Sequence, residues 1–374
     1  MRVLVIAGEA SGDLHGSGVV RELKQRYPDA DIYGIGGDLM QRAGMELVYH
    51  IREISVMGFW EVLTHLPVIR SMERAMMTIA RVRKPDVVLL IDYPGFNLRF
   101  AKKVRPLGCK IVYYISPQVW AWNSGRIKKM KSLIDQMLVV LPFEEELYRR
   151  EGIPVKFVGH PLLDVLGETQ GKKEFCTRYG LDPDKPIVGL FPGSRRQEIE
   201  RIFPVMLGTA RILYASDEIQ TVVGVAPVLD PEYVKSFVRD DFPVQLIHNA
   251  TYDTMKNVDA AIVTSGTATL ETAWFETPMV VVYKTSWLTY RIGRMLIKVK
   301  QISLVNIVAG KQIVPELIQD KVTPFALAVE TAALIEDPVR KNRVRHDLAA
   351  LKEKMGTPGA ARRVAETISS FLPS

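Results

Sequence analysis

The chain has 374 residues, of which 47% are hydrophobic and 24% charged, a balance that excludes a disordered protein and predicts two domains of ordinary size. Forty-nine Lys and Arg against 42 Asp and Glu leave a net charge of +7 and a pI near 9.2, which suits an anionic partner: nucleic acid, anionic lipid or a phosphorylated substrate. Cys109 and Cys176 lie far apart with no metal-ligand spacing, so neither a disulfide framework nor a zinc site is expected, and a reducing cytoplasm fits.

From the start, RVLVIAG reads as a buried strand. Its apolar run is too short for a signal peptide and enters the glycine-containing loop AGEASGDLHGSG. A helix in GSGVVRELKQRYP, a strand in DIYGIGG and a long helical pattern to Arg83 follow. Next come a strand in DVVLLID, a helix in FNLRFAKKVRPLG and a strand in KIVYYIS. The rhythm restarts after residue 185 with PIVGLFPGS, FPVMLGTARILYA, QTVVGVA, VQLIH, AAIVTSGT and PMVVVYK. Strands alternating with helices predict mostly parallel sheets. The expectation is therefore an α/β protein of two doubly wound, Rossmann-like domains whose boundary falls within residues 159 to 173, where polar residues and glycines interrupt the apolar pattern. No segment reaches the run of about 20 apolar residues that a membrane-spanning helix needs.

Gly8, Gly12 and Gly16 are spaced four apart, which is not the G-x-G-x-x-G fingerprint. The second strand ends in Gly36 and Gly37 where a dinucleotide enzyme would carry a ribose-binding acid. The pattern argues against a nicotinamide enzyme and points to a nucleotide-sugar transferase of the GT-B type, with two open sheets facing a cleft.

Candidate chemistry sits at strand ends. Asp92 closes the buried strand VVLLID before a Tyr-Pro-Gly turn, either as a turn and helix cap or as a catalytic base. Glu9, Ser11 and Asp13 lie on the loop after the first strand, with His15 close behind as a rival base or a structural histidine. In LFPGSRRQEIE a Pro-Gly-Ser turn opens a helix, so free backbone N–H groups and Arg195 suit phosphate; the alternative is a connection capped by Ser194 with Arg195 solvated. IVTSGTATLE repeats the design. Gly266 and Thr267 let a ligand approach the backbone and Glu271 could accept from a ribose diol, unless Thr267 is merely the cap and Glu271 an early helix acid. Trp120 and Trp122 precede a helix with Arg126, Lys128, Lys129 and Lys131, a combination that suits lipid headgroups or nucleic acid as well as a solvated helix flank. The stripe of residues 54 to 80, with Met57, Phe59 and Trp60, is either core or an exposed acyl-chain surface.

The segments AGEASGDLHG, VMGFWEVL, IDYPGFN, YYISPQVWAW, PFEEELY, FVGHPLLD, PGSRRQEI, SGTATLE and SLVNIVAGKQIVPELIQ, in this order, closely resemble the lipid-A-disaccharide synthase family, from the first strand to at least residue 320. The resemblance implies a GT-B enzyme that needs no metal or other cofactor. It would join UDP-2,3-diacylglucosamine to 2,3-diacylglucosamine 1-phosphate (lipid X) with inversion, giving a β(1→6) disaccharide 1-phosphate and UDP. It would work in the cytoplasm as a peripheral protein on the inner face of the Gram-negative inner membrane.

Carried over by position, Asp92 is the implied base. Glu9, Ser11 and Asp13 shape the acceptor side, with Ser194, Arg195, Gly266, Thr267, Glu271, Asn306 and Glu316 on or near the donor. Many members carry a second acid where this chain has Gly95, so the base role falls on Asp92. Residues 1–165 are the implied acceptor domain and 166–357 the UDP-sugar donor domain, with a C-terminal helix of about 358–374 packing back onto the first. Met57, Phe59 and Trp60, together with Arg126, Lys128, Arg291, Arg294 and Lys298, are the implied contacts with lipid and anionic headgroups. Competing readings are another GT-B transferase acting on a peptidoglycan lipid precursor, a UDP-N-acetylglucosamine epimerase and a non-catalytic lipid binder. Nucleic-acid binding lacks any recognised motif.

Overall fold

The computed structural model describes residues 1–55, 66–117, 125–167, 169–217, 219–239, 242–287, 290–291 and 301–372. The chain divides into two compact units, Met1–Val165 with Met355–Ser374, and Leu166–Lys354.

The first unit is built on a seven-stranded parallel sheet. Its strands are β1 (Arg2–Ala7), β2 (Asp31–Gly36), β3 (Glu46–His50), β4 (Val87–Ile91), β5 (Lys110–Tyr114), β6 (Gln136–Val139) and β7 (Val155–Phe157), in the order β3-β2-β1-β4-β5-β6-β7. The central strands carry unbroken apolar runs because both faces are covered, and Val3 to Ala7 and Val87 to Ile91 are fully buried. The order reverses between β1 and β4. Chain connections leave that point in opposite directions and open a crevice at the carboxyl ends of the strands. Because Ala7 pairs with Ile91, Gly8 and Asp92 emerge from neighbouring strand ends at that crevice.

The second unit repeats the plan with six parallel strands: β8 (Ile187–Phe191), β9 (Gln220–Val225), β10 (Val244–His248), β11 (Ala260–Thr264), β12 (Met279–Tyr283) and β13 (Glu316–Ile318), in the order β10-β9-β8-β11-β12-β13. Its reversal lies between β8 and β11, where Phe191 pairs with Val263. The turns at 192–195 and 264–267 therefore start side by side. Nine of the thirteen strands follow the apolar runs read from sequence. β3, β7 and β13 were not anticipated because they are short and half-buried at or near sheet edges, where the apolar pattern breaks. β6 was missed because QMLV is only four residues long.

The last helix, Ala360–Ser369, packs against the first, Ala10–Arg26, within the first unit. Gly18 allows the close approach to Ala361. The incoming helix is capped from a distance: the Asp164 carboxylate accepts from the backbone N–H groups of Gly359 at 2.5 Å, Ala360 at 3.2 Å and Ala361 at 2.8 Å. Both cysteines are free and buried. Among the described residues, no helix is long and apolar enough to cross a membrane.

Candidate active site

In the first unit the crevice is shaped by an unusual backbone. Asp92 and Tyr93 both adopt the left-handed conformation, with φ of +45° and +44°. For residues with a Cβ this costs roughly 1 to 2 kcal/mol each, so the surroundings must hold it. The Asp92 carbonyl accepts two hydrogen bonds, from Asn97 Nδ2 at 2.7 Å and from the Tyr113 hydroxyl at 2.5 Å. Asn97 Nδ2 also reaches the Ile91 carbonyl, and the Asp92 N–H donates to the Tyr114 carbonyl at 3.0 Å. Asn97 and Tyr113 are fully buried, so the turn is pinned from inside the protein.

That geometry bears on one of the two sequence readings of Asp92, that of a helix cap. The helix Pro94–Val104 is entered through Tyr93, with no side-chain cap. Asp92 is not the cap. Its carboxyl is pushed up to about 6, first by burial and then by the negative charge of Glu9, against an opposing hydrogen bond from the Tyr93 N–H. The Tyr93 ring lies so close over Gly8 that a Cβ there would fall 2.3 Å from a ring carbon, which is why the loop after β1 starts with glycine.

The remaining residues of that loop separate into two roles. Glu9 and Ser11 are exposed at the start of the first helix. Asp13, expected on the acceptor side, is instead buried, and its carboxylate accepts from the N–H groups of Gly37 at 2.8 Å, Leu39 at 3.1 Å and Met40 at 3.0 Å. It fixes the turn after β2. His15 is held neutral by burial, which pushes it down to about 4 despite the opposing charge of Asp164, and this makes it a weaker proton acceptor than Asp92. Burial pushes the neighbouring His160 down to about 3, and repulsion between the two imidazoles, were both protonated, lowers it further.

In the second unit, the turn after β8 differs from expectation. The Ser194 and Arg195 N–H groups donate to Glu198 Oε2 at 3.0 Å and 3.2 Å, so they are not free for phosphate. The Arg195 side chain is 73% exposed and available. Beside it, Thr267 stands at the N-cap position of the helix Ala268–Trp274, but its side chain makes no capping hydrogen bond. Space above Gly266 is open. Glu271 is pushed up to about 7 by burial, as a desolvated carboxyl is.

Sequence reasoning missed the neighbouring pocket. It has a volume of about 190 Å³ and is lined by Gly167, Thr169, Asn249, Ala250, Thr251, Tyr252 and Asp253. The helix Thr251–Asn257 packs against Ala268–Trp274, and the Tyr252 phenol feels the Glu271 charge, which places the pocket beside that acid. The signal available in sequence was Asn249 after the β10 run: it takes a left-handed φ of +55° to turn the chain into the helix.

Asn306 and Glu316, expected on the donor, are bonded to each other and to the chain around them. Asn306 Nδ2 donates to the Val314 carbonyl and to Glu316 Oε1, while Oδ1 accepts from the N–H groups of Ile313 and Val314. Glu316 also accepts from Ile302 N, Ser303 N and Ser303 Oγ. The pair staples the 302–316 segment and uses every hydrogen-bonding group of the Asn306 side chain.

Of the implied lipid contacts, Met57, Phe59, Trp60, Arg294 and Lys298 lie outside the described residues, as do Trp120, Trp122 and the Arg126 side chain. Lys128 is exposed on the helix Gly125–Met130. The Arg291 guanidinium stacks at 4.9 Å over Trp287, which is 67% exposed.

Two parallel-sheet α/β units, each with its strand order reversing near the centre of the sheet, form a GT-B glycosyltransferase architecture. Solved structures share it at low identity. The chain superposes with a TM-score of 0.68 on the glycotransferase of kitacinnamycin, at 15% identity over 100% of this chain and 99% of that one. With a TM-score of 0.67 it superposes on UDP-GlcNAc 2-epimerase from Neisseria meningitidis bound to UDP-GlcNAc, at 14% identity over 99% and 100%. Fold alone does not separate transferase from epimerase.

Sequence does. The family model described as lipid-A-disaccharide synthetase matches residues 3–368. Lipid-A-disaccharide synthase from Syntrophus aciditrophicus (strain SB) is 46% identical over 97% of this chain and 96% of its own. The enzyme of that name from Geobacter sulfurreducens is 45% identical over 99% and 97%. The chain belongs to the lipid-A-disaccharide synthase family.

The Asp92 environment is directly measurable. Carboxyl NMR titration should find one Asp near 6, and Glu9→Gln should lower it by removing the like charge. A value in the ordinary carboxylate range in the unsubstituted protein would contradict the desolvation described.

Proposed function

We propose that the chain joins UDP-2,3-diacylglucosamine to 2,3-diacylglucosamine 1-phosphate and inverts the anomeric centre, releasing UDP and the β(1→6) disaccharide 1-phosphate. One observation carries this reading: a carboxyl of raised proton affinity, about 6, on a pinned turn at the first unit's reversal point. Asp92 takes the proton of the acceptor's primary hydroxyl as that oxygen attacks the donor's anomeric carbon and the bond to the β-phosphate oxygen breaks. A base of this pKa is ionised at neutral pH yet closer to it than an ordinary Asp, which improves proton transfer. Glu9 and Ser11, exposed beside it, meet the acceptor.

The second unit takes the UDP. Glu271 accepts from the ribose hydroxyls, the pocket at 249–253 receives the base, and Arg195 with the open turn at Gly266 and Thr267 faces the diphosphate. Arg195 stabilises charge that builds on the leaving UDP. Acyl chains on both substrates call for a lipid surface, met by a peripheral protein at the inner face of the inner membrane. The exposed Trp287–Arg291 pair is suited to that contact, an aromatic at headgroup depth with a cation against anionic lipid.

Three outcomes test this. Asp92→Asn should lower kcat by about 10²- to 10⁴-fold, or about 3 to 5 kcal/mol of barrier, with UDP affinity little changed; full activity in the variant, or no disaccharide from the unsubstituted protein, removes the assignment. UDP binding near pH 7 should release protons, because ribose hydroxyls donating to Glu271 favour its ionised form and lower a pKa of about 7. Calorimetry in buffers of different ionisation enthalpy reads this, and the Glu271→Gln variant should lose that component. Trp287→Ser with Arg291→Glu should weaken co-sedimentation with anionic vesicles at low salt; unchanged sedimentation would place the lipid contact elsewhere.

A further inference from the structure

The turn after β8 is already filled by one of the chain's own carboxylates. Glu198 lies at the start of the helix Arg196–Asp217. Its Oε2 accepts from Ser194 N at 3.0 Å and Arg195 N at 3.2 Å, and its Oε1 lies 3.5 Å from Arg195 Nη1. Gly193 admits the carboxylate: its φ is +110°, and a Cβ there would sit 2.2 Å from Glu198 Oε2. The Glu198 side chain is 25% exposed against 73% for Arg195, so the acid forms the fixed wall and the guanidinium the part that reaches out. Tyr283, at the end of β12, registers both charges, Glu198 raising its phenol pKa and Arg195 lowering it, with burial the larger influence.

Helix capping explains the two bonds to backbone N–H groups. It does not explain why the same carboxylate also holds the guanidinium of the residue it caps. We propose that Glu198 is a positioning residue for Arg195: one carboxylate oxygen closes the turn and the other steers the guanidinium toward the donor diphosphate. A second consequence follows from the same contacts. With the Ser194 and Arg195 N–H groups occupied, phosphate is excluded from the backbone of this turn and is held through the Arg195 side chain. Arg195 would otherwise be a long, freely rotating chain whose ordering costs entropy at each binding event. The inference rests on Arg195 as a donor contact.

A double-mutant cycle on UDP binding tests it, using the full chain with Glu198→Gln, Arg195→Ala and the pair. Gln keeps an acceptor oxygen for the turn while removing the charge that holds Arg195, and thermal unfolding checks that the fold survives. Glu198→Gln should weaken UDP binding about 5-fold or more when Arg195 is present and by less than about 2-fold when it is absent, a coupling within the range for contacting side chains. Equal losses in both backgrounds, or no loss in either, would show Glu198 to be only a cap and overturn the inference. If Arg195→Ala alone leaves UDP affinity unchanged, it is the donor-contact reading that fails.

Discussion

Two hydrogen bonds to a single carbonyl hold the turn after β4 in place. The amide of Asn97 and the hydroxyl of Tyr113 converge on the Asp92 carbonyl and keep Asp92 and Tyr93 in a conformation that neither residue prefers. Much else in the first unit is arranged around this. Gly8 is a glycine because Tyr93 then lies over it, and Glu9 follows close enough to raise the proton affinity of the acid. Strain, desolvation and like charge meet at one residue, and the last two raise its proton affinity.

The two units solve one positional problem in the same way. Each places its reactive loops where the strand order reverses, so backbone approach and side-chain chemistry come from adjacent strand ends without any long loop. They differ in what the loops supply. The first offers a carboxyl beside a carboxylate; the second offers a guanidinium, an open glycine turn and a desolvated acid beside a pocket. This division suits a reaction with a proton to remove from one substrate and an anion to hold on the other.

The parallel sheets and the strand-end acid were legible because both depend on local pattern: an apolar run such as VVLLI reads as a covered strand, and an acid directly after it stands at the crevice. What sequence could not reveal was the partner of each polar side chain. Asp13, Asn306 and Glu316 have the chemistry of ligand contacts, yet their hydrogen bonds go to backbone brought from elsewhere in the fold. For Asp13 that backbone is more than 20 residues away, a pairing no spacing rule encodes. The N–H groups of Ser194 and Arg195, expected to be free, have a partner only one helical turn on, in Glu198, to which the sequence reading gave no role.

The Asp164 cap ties the end of the chain to its beginning, with the whole second unit interposed between the two parts of the first. During synthesis the first helix, Ala10–Arg26, therefore leaves the ribosome long before its covering helix Ala360–Ser369 exists. Until then Gly18 lacks Ala361 against it and Arg26 lacks its partner Glu366. The acid-bearing unit is thus the one completed last, and a shortened product would carry Asp92 on a scaffold with one face left open.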